Sequence, residues 1–189
     1  MKKLVIAITV FIFPFIATYS NAGDDVLLGE ARKVAMELPP KLIVNLQSEI
    51  KKSGPEGAIS VCKDMSPKIA TEISRKTGWH VKRVSLKARN YARSIPDEWE
   101  KSALEDFDKR AATGELPAKL EKGERVGNEY RYVKALPVNQ ICLSCHGPLD
   151  QISSAVKSAL AKHYPNDLAT GYSLGQIRGA ISLSKSLWE

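Results

Sequence analysis

The residues best suited to chemistry stand together late in the chain, in the run Ile141-Cys142-Leu143-Ser144-Cys145-His146-Gly147. Cys-x-x-Cys-His is the sequence form of a c-type haem attachment site. Two thiols at this spacing can add across the haem vinyl groups as thioethers when the segment makes about one helical turn, ~3.6 residues. The next residue, His146, then lies under the ring plane, where its imidazole can ligate the iron. Two rival chemistries use a Cys-x-x-Cys pair. A thioredoxin-like redox motif wants a βαβ start near the N-terminus, and this pair sits late. Zinc wants four ligands, which Cys62, Cys142, Cys145 and His146 could just supply. The first reading is one covalent haem c, held by Cys142 and Cys145 with His146 on the iron. No acid–base or nucleophile constellation is visible, so no catalytic residue is assigned and an enzyme is not expected.

The second axial ligand is less defined. Methionine is the usual partner in electron-carrier cytochromes and raises the potential. Met36 and Met65 are candidates, and His80 or His163 would make a bis-histidine site. The three cysteines are an odd number, and an odd thiol in an exported protein calls for an explanation. Cys62 is that thiol; it is three residues from Met65, so a helix would place both on one face. Residue chemistry alone favours Met65 or a histidine. Arg83 and Arg89 are candidate propionate partners, or surface cations.

Elements must bring these groups together. Residues 1–22 read as a cleaved export signal: Lys2-Lys3, an apolar run from Leu4 to Ala17, and small residues at Ser20 and Ala22, with cleavage before Gly23. Export suits the motif, because covalent haem attachment in bacteria takes place outside the inner membrane. A periplasmic location is expected, with no stable membrane insertion after cleavage. The formal charge of +7 falls to about +5 without Lys2 and Lys3, and to about +3 with two ionised propionates. That modest, dispersed charge, without an aromatic-interleaved basic patch, argues against nucleic acid. Residues 23–189 form a single domain on this reading.

Leu27, Ala31, Val34, Leu38, Leu42, Leu46 and Ile50 recur at helical steps, interrupted at Pro39-Pro40 and broken at Ser53-Gly54-Pro55. A second helix is predicted from Pro55 to about Lys76, bent or split by Pro67 and closed by Gly78, with Cys62 on its buried side. Trp79 to Leu86 alternates as a strand, Lys87 to Ile95 reads as a polar loop, and Pro96 opens a helix to about Ala112. Leu116 to Val138 reads as a β hairpin turning at Gly127-Asn128. Pro137 ends its second strand, so the attachment motif hangs from a strand end. Ser153 to His163 is helical. Ile177 to Leu183 alternates, with Ile177, Gly179, Ile181 and Leu183 on one face, and this last strand could return to the middle of the sheet. The fold class is α+β, an antiparallel sheet packed by helices with an N-terminal helical segment.

The order of motifs adds a resemblance. Gly57-Ala58-Ile59-Ser60-Val61-Cys62, Ile69-Ala70, Gly78 through Lys87, Arg89-Asn90, Pro96-x-x-Trp99-Glu100 and Cys142-x-x-Cys145-His146-Gly147 together resemble the c-type haem family with a PAS-like fold and Cys/His axial ligation. Its members are exported single-domain proteins or sensor modules of membrane kinases and chemoreceptor-like proteins. The resemblance runs from about Ala58 to the C-terminus. It implies a PAS-like fold, with Cys62 as the second axial ligand and His146 as the proximal one. The loop after Arg89-Asn90 departs from the family, with Tyr91 and Arg93 where members continue with proline and a further asparagine.

A thiolate on the iron stabilises Fe(III), so Cys62 ligation implies a low potential. Binding requires loss of the thiol proton, and reduction weakens the bond. Release of Cys62 would open a position for CO or NO. Two functions follow: a redox or diatomic-gas sensing module that signals to a partner protein, or a low-potential periplasmic electron-transfer cytochrome c.

Overall fold

The computed structural model describes residues 22–188. The expected export signal, residues 1–22, lies outside the described residues apart from Ala22. Among the described residues no helix is long and apolar enough to cross a membrane.

Helix α1 (Ala22–Ala35) starts with Asp24 and Asp25 in its first turn, where the positive end of the helix dipole favours acids. Helix α2 (Leu38–Gly57) begins with Pro39-Pro40 in its first turn, where a missing N–H costs nothing. It is interrupted at Gly54, whose φ of 71° places it in the left-handed region that glycine tolerates. A π-turn, Val61–Met65, then leads into α3 (Ser66–Thr77), and Gly78 caps α3 in the left-handed conformation.

Strand β1 (His80–Val84) follows, then a short helix α4 (Tyr91–Ser94) in the stretch read as a plain polar loop. Helix α5 (Glu98–Ala112) has a complete capping box between Asp97 and Glu100, two reciprocal bonds that satisfy the Asp97 and Glu100 N–H groups at its start. Strands β2 (Glu121–Val126) and β3 (Glu129–Pro137) form the hairpin, with Val126 opposite Glu129 across Gly127-Asn128. After β3 come a 3₁₀ turn (Gln140–Cys142) and α6 (Leu143–His146), then α7 (Ser154–His163), capped by the Ser153 side chain, and β4 (Ile177–Ser186).

The sheet is fully antiparallel in the order β1-β4-β3-β2, so the last strand does lie between the first and third. The molecule is α+β with an N-terminal helical segment. One face of the sheet buries Val81, Tyr130, Tyr132, Ile181 and Leu183 against α1 and α3. The other buries Val84, Val133, Ala135 and Ala180 against Leu104 and Phe107 of α5.

Two details depart from simple periodicity. Leu136 pairs with Gly179 but Pro137 pairs with Ile177, so Arg178 is the extra residue of a β-bulge. The bulge moves Ile177 to the α5 face, away from Ile181 and Leu183, with which the alternation grouped it. In the π-turn the Ser66 N–H bonds to Val61 O, five residues back. The turn therefore holds one more residue than an α-helical turn, and Cys62 and Met65 no longer share a face. Met65 is 37% exposed, whereas Cys62 is half-buried.

Candidate haem site

Cys142, Cys145 and His146 lie on one continuous helical turn hung from the end of β3, the local geometry that two thioethers and an axial imidazole require. Gly147 closes this turn, its N–H bonding to Leu143 O at 2.9 Å. A Cβ at Gly147 would stand 2.6 Å from that carbonyl, so the close approach needs glycine. The loop before β4 holds the motif in place: Tyr172 N–H donates to His146 O at 2.9 Å, and Gly171 N–H to Gly147 O at 2.8 Å. Cys142 is backed by Val138, Ala169 and Tyr172, and Cys145 by Ile59, Ile152, Val156 and Leu160.

Two adjoining cavities, of about 360 and 140 Å³, share Cys62, Arg83, Arg89, His146 and Arg178 as walls. The smaller is apolar, lined by Leu42, Ile43, Leu46, Ile50 and Ile59, and Cys142 and Cys145 open into it. The larger has apolar walls too, at Pro67, Ala70, Val81, Val84 and Leu136, but it adds Ser66, Ser85, Asn90 and the cations Lys82 and Arg93. The π-turn thus delivers Cys62 to the space that the attachment motif faces, 80 residues later in the chain.

The other candidate ligands are placed elsewhere. Met36 is 58% exposed, and neither it nor Met65 lines either cavity. His163 lies outside both, its Nδ1 3.4 Å from Lys63 Nζ. His80 lines only the larger cavity, with an exposed ring. The rivals to haem lose ground on geometry. The three cysteines are free thiols. Among the described residues no three His, Cys, Asp or Glu side chains converge closely enough for a single metal ion.

The His146 ring is fixed at one nitrogen. Its Nδ1 is 2.7 Å from Ala169 O, and a carbonyl only accepts, so the proton is on Nδ1 and Nε2 keeps its lone pair, which faces Arg89 Nη1 at 3.5 Å. Arg178 Nε, 3.2 Å from Nδ1, therefore packs as a second donor rather than bonding there. Burial, then the charges of Arg178 and Arg89, hold the imidazole pKa well below its ordinary value. A neutral ring with one oriented lone pair is what an axial ligand must be.

Charge in the cavity is unbalanced. Arg89 is paired with Asp167 at 2.9 Å. Arg83 donates to Ser66 Oγ at 2.9 Å, and Arg178 to Ser85 Oγ at 2.7 Å; neither meets a carboxylate among the described residues. Burial, reinforced by Arg83 and Arg89, pulls the Arg178 pKa down to about 10. Two uncompensated guanidinium groups call for a bound dianion, and the adjacent wall is apolar with two thiols. An apolar macrocycle with two carboxylates fits that combination. Arg178 was not among the expected site residues. A cation inside an otherwise apolar strand run was its signal, and the bulge that aims it inward left no mark in the alternation.

A search of curated protein sequences returns no match. Among solved structures the chain is similar to the crystal structure of the cyanobacterial heme-protein Tll0287, with a TM-score of 0.67 and 24% identity, over 87% of this chain and 97% of that one. At that identity the likeness carries the fold. The Tll0287-like family model matches residues 21–186, nearly the whole of what the structure describes, and the chain therefore belongs to the Tll0287-like family.

Proposed function

We propose that this chain is an exported protein that holds one haem c covalently through Cys142 and Cys145, with His146 and Cys62 as axial ligands, and that it works as a redox or diatomic-gas sensing module. The observation that carries the reading is the meeting of Cys62 with the attachment turn around one cavity, while Met36, Met65 and His163 stay outside it. The description of the solved relative as a heme-protein and the PAS-like resemblance of the motifs support the same reading.

The roles divide by wall. The thiols of Cys142 and Cys145 would form the thioethers from the apolar cavity. Arg83 and Arg178 would neutralise the propionates, since neither meets a carboxylate among the described residues. His146 offers a neutral Nε2 held by its Nδ1–H bond to Ala169 O. Cys62 would bind as thiolate, with loss of the proton at Sγ, and would regain that proton on release. A haem held in this way supplies one reversible electron and, once a ligand is released, a position for CO or NO. Single-turn π-bulges of this kind recur at functional sites, which fits a ligand carried on Val61–Met65. The signal would pass to a partner protein.

The electron-carrier reading keeps one support. The larger cavity reaches exposed residues, His80 and Arg93, which would give a redox partner access to the haem edge. Two measurements test the proposal. Protein from an exporting host that attaches haem c should have the polypeptide mass plus one haem, resistant to acid-acetone extraction, and Cys142→Ala with Cys145→Ala should abolish it. Potentiometry with and without CO then separates the readings. A potential that rises under CO indicates a ligand lost on reduction and favours the sensor; a CO-independent couple favours the carrier.

A further inference from the structure

Arg89 is expected from its sequence context as a propionate partner or a surface cation, and its geometry fits neither. Its side chain is 8% exposed and its polar atoms are spent on the protein. Nε donates to Asp167 Oδ2 at 3.0 Å, and Nη2 lies 2.9 Å from the same oxygen. Nη2 also donates to Cys145 O and, at 3.2 Å, to Ala169 O. The other Asp167 oxygen accepts the Ala169 N–H at 2.8 Å. Ala169 O is the acceptor of His146 Nδ1–H. One buried ion pair therefore grips the attachment turn at Cys145 and the loop carbonyl that orients His146. Arg89 Nη1 also lies 3.5 Å from His146 Nε2, so the guanidinium charge borders the ligating atom.

We propose that Arg89 and Asp167 are positioning residues for the proximal ligand: through the Ala169 carbonyl they fix the tautomer and plane of His146, and through the balance of their opposite charges they tune the iron. The proposal rests on the haem reading above. Two donors share the Ala169 carbonyl, Arg89 Nη2 and His146 Nδ1–H. Sharing weakens the imidazole bond and keeps His146 from acquiring imidazolate character, which would stabilise Fe(III). Removal of the guanidinium strengthens that bond and deletes a nearby positive charge, and both changes lower the potential. Neutralising Asp167 leaves the Arg89 charge uncompensated and raises it.

The test compares wild type, Arg89→Gln, Arg89→Lys and Asp167→Asn as haem-loaded proteins, with covalent haem content, ferric EPR g-values and reduction potential read in parallel. The expected result is retained covalent haem, shifted g-values, a lower potential for Arg89→Gln, a higher one for Asp167→Asn, and Arg89→Lys between Arg89→Gln and wild type. Disruption of the loop alone would not move the potential in opposite directions. Asp167→Asn is isosteric and decides the matter if Arg89→Gln does not accumulate: a raised potential with shifted g-values upholds the proposal. An unchanged or lowered potential on an intact haem overturns it while the haem reading stands. Wild type without covalent haem defeats the haem reading itself, and this proposal with it.

Discussion

Replacing Glu100 by Gln should loosen the sheet behind the site and release Lys82, a cation of the larger cavity wall. Glu100 is fully buried between α5 and the sheet. Its carboxylate accepts from Lys82 at 3.0 Å, from the Ser182 hydroxyl and from the Asp97 N–H at 2.9 Å, and lies 3.4 Å from Arg131. It therefore ties β1, β3 and β4 to the first turn of α5. Removing one partner of a buried ion pair costs about 3–5 kcal/mol, because the remaining charge is left without compensation. Two features reduce this. Lys82 is 33% exposed and can turn to water. Glutamine keeps an acceptor for the Asp97 N–H, and so keeps the cap, which is worth about 1 kcal/mol. The net cost is about 2–3 kcal/mol, or a melting temperature lower by about 4–12 °C for a domain of this size. Far-UV circular dichroism on heating measures it. A melting temperature within about 2 °C of wild type would refute the reasoning, since it would mean that the buried charge contributes little beyond its shape.

Gly179 adjoins the bulge, where a Cβ would run into Val84 O and stand 3.1 Å from Ser85 Cβ. Gly179→Ala should push β1 from β4 and cost about 1–3 kcal/mol by urea unfolding; because Ser85 holds Arg178, it should also disturb the visible spectrum of the loaded protein. Glu121 should make stability depend on pH. Burial raises its pKa, but the Arg32 bond, the Tyr132 hydroxyl and Lys134 outweigh that and hold it below the ordinary value. The stabilisation is present above the unfolded pKa of about 4.3 and is lost as the pH falls through the lower folded pKa. Urea midpoints measured downward from neutral pH should fall less steeply in Glu121→Gln than in wild type.

Much of this molecule is legible in its sequence because its punctuation is strong. Proline and glycine at Pro39-Pro40, Gly54, Gly78 and Gly127-Asn128 mark helix starts, a break, a cap and a turn where the structure has them. The attachment turn is legible because its chemistry needs a fixed local spacing, and the structure gives it one helical turn. Irregular backbone is what periodicity misses. The π-turn separates Cys62 from Met65, and the bulge sends Arg178 into the cavity; each inserts one residue, which shifts a face without changing composition. Arg89 illustrates another limit. A cation in a polar stretch reads as surface, and only its partners, Asp167 and two carbonyls more than fifty residues away, reveal it as buried.

The central claim is that Cys62 and His146 hold the same iron from opposite sides. The ferric EPR and absorption spectra of the haem-loaded protein, compared between wild type and Cys62→Ser, test it most directly. Thiolate ligation predicts a low-spin wild-type signal with a sulfur-to-iron charge-transfer band, both lost in Cys62→Ser, together with a rise in potential as the negative ligand is removed. Identical ferric spectra in the two proteins, with haem covalently bound in both, would contradict it.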